Sequence, residues 1–202
     1  SQPLILSPEE FSLKLPAAVP LATLKVHGRV NDIAFSPDQP VLALATGSRK
    51  VVLWDYQRGV VRPILTGFAH SVGQAAYLQD GQLICAERTN GGGRCEIIGV
   101  KDRQHFRIGQ HAASVTALVP LAGARLLTAS RDLTITLWDV NQRQKITEFQ
   151  ADDWPRCAAV SPDGQYAALV TNQVRLIKLP ELDTLDNLPP ISAKGPGSNR
   201  GM

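Results

Sequence analysis

The chain is poor in the residues that specialised chemistry needs. Its 202 residues hold three cysteines, Cys85, Cys95 and Cys157, with no Cys-x-x-Cys pair, which argues against a zinc or dithiol redox motif. Cys85 and Cys95 fall on the two arms of one predicted hairpin. They could lie near each other, but the expected role is that of two small buried strand residues rather than a disulfide. The odd count fits a reducing compartment. His27, His70, His105 and His111 are widely spaced with no His-Glu-x-x-His, so no metal site is implied and no cofactor is expected. No Gly-x-Ser-x-Gly elbow occurs. No apolar run reaches transmembrane length. The opening Ser1-Gln2-Pro3-Leu4-Ile5-Leu6 lacks a basic n-region, so no signal peptide is visible, and a cytoplasmic location is expected. A starting Met is also missing: either it was trimmed before Ser1, or the chain begins inside a longer protein. The net charge of +3 is too weak alone to indicate nucleic-acid binding.

What is present is a turn-rich globular pattern. Apolar residues make up 44% of the chain and charged residues 19%, which excludes a disordered chain, and 16 Gly with 14 Pro suit an all-β protein. Ser36-Pro37-Asp38-Gln39 and Ser161-Pro162-Asp163-Gly164 are nearly the same tetrapeptide. Gln79-Asp80-Gly81 and Ala122-Gly123 lie between them. The last positions of these turns, 39, 81, 123 and 164, step by 42, 42 and 41 residues. Asp and Gly suit such turns, because Asp bonds to neighbouring backbone and Gly accepts positive φ.

The stretch from Leu126 to Asp139 reads as two strands joined at Arg131-Asp132. The second alternates Thr134, Ile135, Thr136 and Leu137, as a half-buried strand does, and ends in Trp138-Asp139. The same ending recurs at Trp54-Asp55, 84 residues earlier, which is two periods. The chain therefore resembles the WD-repeat β-propeller family, in which repeats of roughly 40–45 residues each supply four antiparallel strands.

The resemblance implies about four blades over residues 21–188, at 27–67, 68–110, 111–150 and 151–188. An extended N-terminal arm over 1–20 and a flexible tail over 189–202 flank them. Leu21 to Val26 is expected to form an outer strand belonging to a preceding blade, and Val60 to Leu65 the outer strand of repeat one. Gly99 and Ile177 occupy the Trp position of repeats two and four. In repeat three the resemblance implies a hydrogen-bonded set of His111, Thr128, Asp132 and Trp138, with Ser130 a second candidate for the hydroxyl. Indole can only donate, a hydroxyl does both, and imidazole can bridge to a carboxylate. This structural role accounts for the His, Ser and Asp that would otherwise invite a hydrolase reading, so no catalytic residue is expected. Four repeats are few for a ring, so the blades are expected to be part of a larger or oligomer-completed propeller.

The turns between second and third strands share one rim, which would carry Arg49, Lys50, Arg88, Arg94 and Arg131. One reading is a basic face for an acidic partner or a nucleic-acid backbone. The other is ordinary solvated turn charge, balanced by Asp32, Glu87 and Asp132 nearby in sequence. The expected function is a non-catalytic protein-interaction scaffold or sensor module in a larger complex. Its partners are other proteins or further blades, with a homo-dimer as one way to complete a ring. Nucleic-acid binding through the rim is the alternative, and a propeller enzyme a distant third.

Overall fold

The computed structural model describes residues 23–89, 93–101, 104–179 and 183–184, the last pair as backbone. The expected arm and tail, and most of the Gly-rich loop after Thr89, lie outside the described residues. The described residues form sixteen strands in four antiparallel sheets, each with its strands bonded in chain order. Blade one holds β1 (Val30–Phe35), β2 (Val41–Thr46), β3 (Val51–Asp55) and β4 (Val60–Val61). Blade two holds β5 (Ser71–Tyr77), β6 (Leu83–Arg88), β7 (Cys95–Lys101) and β8 (Gln104–His111). Blade three holds β9 (Val115–Leu121), β10 (Arg125–Ser130), β11 (Thr134–Asp139) and β12 (Gln144–Gln150). Blade four holds β13 (Cys157–Val160), β14 (Tyr166–Val170), β15 (Val174–Lys178) and β16 (Asp183–Thr184).

The strand register reproduces the period of the turns. Trp54 pairs with Leu42, Gly99 with Ile84, Trp138 with Leu126, and Ile177 with Ala167. Each blade is thus the same hairpin series with a different side chain at one position. Gly81, Gly123 and Gly164 all take positive φ, the conformation that the recurring turn needs at its last residue.

The core lies between blades rather than within them. Ala43, Ala45 and Val51 of blade one pack on Val72, Ala75 and Cys85 of blade two. Ile84, Ala86 and Ile97 of blade two pack on Leu118, Leu126 and Trp138 of blade three. Leu127, Ala129 and Leu137 of blade three pack on Ala167, Leu169 and Ile177 of blade four. Blades two and three are therefore covered on both faces. This corrects the half-buried expectation for β11: Thr136, on the face opposite Ile135 and Leu137, is 0% exposed, because a blade lies on either side. Alternation survives on outer strand β12 and at the ends of the arc, where Ile33 and Phe35 of β1 are 55% and 66% exposed.

Two strand expectations need correction. Residues 23–26 form no strand, Leu21 and Ala22 lying outside the described residues; Leu24, Lys25 and Val26 instead line a groove with Val52 and Val61. The outer strand of repeat one shrinks to Val60–Val61 with a single bridge between Val51 and Leu65. Pro63 interrupts it, since proline has no N–H for the ladder. The outer strand of blade four is described only at Asp183 and Thr184, which pair with Lys178 and Ile177.

Candidate functional site

Blade three carries the residues that most resemble catalytic chemistry, and all are turned inward. The indole N–H of Trp138 donates to Thr128 Oγ1 at 2.8 Å. His111 Nε2 meets the same hydroxyl at 2.8 Å, and His111 Nδ1 lies 3.1 Å from Asp132 Oδ2. Asp132 also accepts from the backbone N–H of Ala112 at 2.8 Å and from the Thr134 hydroxyl at 2.6 Å. One proton order satisfies every bond: Trp138 to Thr128, Thr128 to His111 Nε2, and His111 Nδ1–H to Asp132. Burial alone would raise the Asp132 carboxyl. The bonds from His111 and Thr134 outweigh it and hold the group well below the usual carboxylate range. Ser130 serves elsewhere, donating to Ala113 carbonyl and accepting from Asp132 N–H. Thr128 and Ser130 are both 0% exposed, so neither hydroxyl meets solvent. The set ties the turn of blade three to the strand entering it.

Each other blade solves the same problem differently. In blade one Leu44 stands opposite Val52 where Thr128 stands opposite Thr136, and Thr46 instead bonds to Ser48 and to Lys50 carbonyl. His27 is exposed. In blade two Glu87, 1% exposed, reaches back to the entering strand: Oε1 accepts from Ala69 and His70 N–H at 2.7 and 3.0 Å, and Oε2 from Glu96 N–H at 3.1 Å. It takes over from a strand what Asp132 does from a turn. The missing indole at Gly99 is filled by Phe106 on the adjacent β8; a Cβ on Gly99 would lie 2.0 Å from Phe106 Cζ. Trp138 uses a glycine in the same way, since a Cβ on Gly109 of β8 would lie 2.2 Å from its ring. In blade four Asp152 is joined to Arg175 by an ion pair.

Arg49, Lys50, Arg88, Arg94 and Arg131 stand at or beside the turns between the second and third strands of blades one, two and three. Gly47 N–H bonds Arg29 carbonyl, and Arg131 N–H bonds Ser114 carbonyl, so second-to-third-strand turns meet the segments that enter each blade. Side chains stitch neighbouring blades along this edge. Asp32 accepts from Ala75 N–H, Thr89 N–H donates to Ser114 Oγ, and Thr116 Oγ1 donates to Pro155 carbonyl at 2.6 Å. Arg49, Lys50, Arg94 and Arg131 are exposed, and Arg88 is half-buried beside Gly73. Arg29 and Arg156, which sequence reasoning passed over, join them as exposed cations.

The carboxylates near these cations in sequence make hydrogen bonds within the fold rather than ion pairs with the rim. Asp32 and Glu87 are spent on backbone N–H groups of the fold, and Asp132 on His111, Thr134 and Ala112. Among the described residues none of Arg29, Arg49, Lys50, Arg88, Arg94, Arg131 and Arg156 has an ion-pair partner. Trp154 completes the edge at 57% exposure, with the Arg131 guanidinium 5.6 Å from its ring centroid. A tryptophan inside the polar run Asp152-Asp153-Trp154-Pro155 was the available sequence signal.

The opposite edge differs. A cleft of about 1050 Å³ there is lined by both signs, with Asp38 and Asp80 facing Arg62, His105 and Arg143. Tyr77 lines it too, and burial first of all pushes its phenol up to about 12. Among the described residues no three His, Cys, Asp or Glu side chains gather in a group able to hold a metal ion. Cys85 and Cys95 are free thiols, both buried. Among the described residues no helix is long and apolar enough to cross a membrane.

Comparison with known proteins agrees with this architecture. The family described as WD domain, G-beta repeat, matches residues 18–55 and 103–139, the segments that end in the two Trp-Asp pairs. Over 165 residues the chain is 27% identical to the nuclear distribution protein PAC1 of Coccidioides posadasii (strain C735), covering 75% of the chain and 35% of that protein. Over 158 residues it is 26% identical to the intraflagellar transport protein 122 homolog of Xenopus tropicalis, covering 75% of the chain and 13% of that protein. The chain thus spans about a third or less of these relatives' own length. With four antiparallel four-stranded sheets among the described residues and two segments matching the family, the chain carries WD repeats.

Proposed function

We propose that the chain is a non-catalytic interaction scaffold or sensor module of a larger cytoplasmic assembly, and that its basic rim receives an acidic protein partner. The observation that carries this reading is that Arg49, Lys50, Arg88, Arg94 and Arg131 have no ion-pair partner among the described residues, while Asp32, Glu87 and Asp132 beside them hydrogen-bond within the fold. The blades that carry these cations are stitched to one another, so their backbone positions are set before a partner arrives. Ile33 and Phe35 leave one end of the arc apolar, which further blades or a second copy of the chain would cover.

The test is the affinity of a labelled octaglutamate peptide for the full chain. The variant Arg49→Glu/Lys50→Glu should bind at least about tenfold more weakly, the factor that 1.4 kcal/mol represents. Lys178→Glu, on the exposed side of β15 away from the rim, should leave affinity unchanged. Equal loss in both variants would reduce the effect to net charge and count against the rim.

Nucleic acid is the second reading, favoured by the same unpaired arginines. It requires an affinity for a mixed-sequence duplex that falls steeply with salt. A flat salt response would remove it.

A further inference from the structure

We propose that Trp154 and Arg131 form the anchoring point of this rim, and that it takes an acidic peptide segment bearing an apolar or aromatic side chain beside its carboxylates. The proposal rests on the rim reading above and adds the chemistry of the ligand.

The ring is exposed on a loop whose backbone is fixed. Ala151 N–H bonds Leu133 carbonyl, Thr116 bonds Pro155 carbonyl, and Arg156 N–H bonds Val170 carbonyl, so the loop holding Trp154 is pinned before, beside and after it. Trp154 N–H is itself held by Asp153 Oδ1 at 2.7 Å. The other two tryptophans lie at strand ends, Trp138 at 7% exposure and Trp54 half-buried. Trp154 alone offers its indole to a ligand.

The charge around it is selective. Asp152 is taken by Arg175, Asp153 caps the loop, and Asp132 faces His111. Arg131 and Arg156 remain without carboxylate partners among the described residues, one over the ring and one two residues beyond it. Guanidinium forks match carboxylates, and an indole face matches an apolar side chain. Together they fit a segment that alternates the two. A single-stranded nucleic acid fits less well, because base stacking along a strand needs successive aromatic platforms and this edge offers one.

Two labelled peptides test this against the full chain by fluorescence anisotropy. One is octaglutamate; the other has the same eight glutamates and two interspersed phenylalanines. The phenylalanine peptide should bind about tenfold more tightly and should quench the tryptophan emission. Trp154→Ala, an exposed position, should erase that preference while octaglutamate binding persists. Arg131→Gln should weaken both peptides. Equal affinity of the two peptides for the native chain, or an undiminished preference in Trp154→Ala, would overturn the anchor and leave the basic rim standing. An octathymidylate that binds as tightly as the phenylalanine peptide would assign the ring to base stacking and overturn the peptide assignment. Failure of both peptides to bind would sink the rim reading and this inference with it.

Discussion

Trp138 and His111 never touch through their polar atoms, yet both converge on one hydroxyl, Thr128 Oγ1, each at 2.8 Å. That oxygen sits on the middle strand of blade three with no exposure, so it has no water to fall back on. The bond order runs from indole through hydroxyl and imidazole to Asp132, and it fastens three strands and a turn in one line.

Removing the hydroxyl should therefore cost more than one hydrogen bond. Thr128→Val keeps the shape and leaves both the indole N–H and an imidazole nitrogen unpaired. The expected loss is roughly 2–4 kcal/mol, the cost of two buried polar groups without partners. Urea unfolding of the two proteins gives the difference directly.

Glu87 should be as costly to change as any core residue. Its two oxygens accept three backbone N–H groups, so Glu87→Gln must turn an amide NH₂ toward at least one of them. A loss of about 1–3 kcal/mol follows from one buried donor facing another. Glu96→Gln, whose side chain is 40% exposed, is the control and should shift the unfolding midpoint little.

The Asp132 carboxyl makes a prediction about acid. Its folded pKa lies below its unfolded value, so its contribution is complete above the ordinary carboxylate range, begins to be lost within that range and disappears only as pH falls through the lower folded pKa. Stability measured by urea between pH 7 and pH 3 should drop on the acid side. Asp132→Asn should be less stable at pH 7 and show a shallower acid decline. An unchanged decline would mean that other carboxylates govern it.

The uncovered face of blade one should drive association. Phe35 stacks edge-on against Tyr56 and both lie open to solvent with Ile33. Light scattering should give a mass above the 21.8 kDa of one chain, and Ile33→Lys/Phe35→Lys should lower it. A native chain that runs as a monomer would show that this face needs no cover.

Much of the fold was legible because it repeats. Turn residues at one spacing fixed where each hairpin bends, and the register at Trp54, Gly99, Trp138 and Ile177 follows that spacing. The burial of Thr136 was not legible, since it depends on the next blade and not on its own strand. Glu87 read as a surface charge because nothing local announces that its oxygens turn to Ala69 and His70, some eighteen residues earlier. The rim was legible as a group of cations. That its cations have no ion-pair partner among the described residues was not legible, because Asp32, Glu87 and Asp132 lie beside it in sequence and hydrogen-bond within the fold instead.

The most direct measurement is an arginine footprint. The full chain would be treated with phenylglyoxal, with and without saturating acidic peptide, and each modified arginine read by mass spectrometry. Protection of Arg49, Arg131 and Arg156, with Arg107 on β8 and Arg143 over Phe106 unchanged, is the predicted result. Protection at Arg107 or Arg143 with the rim unprotected would contradict the account.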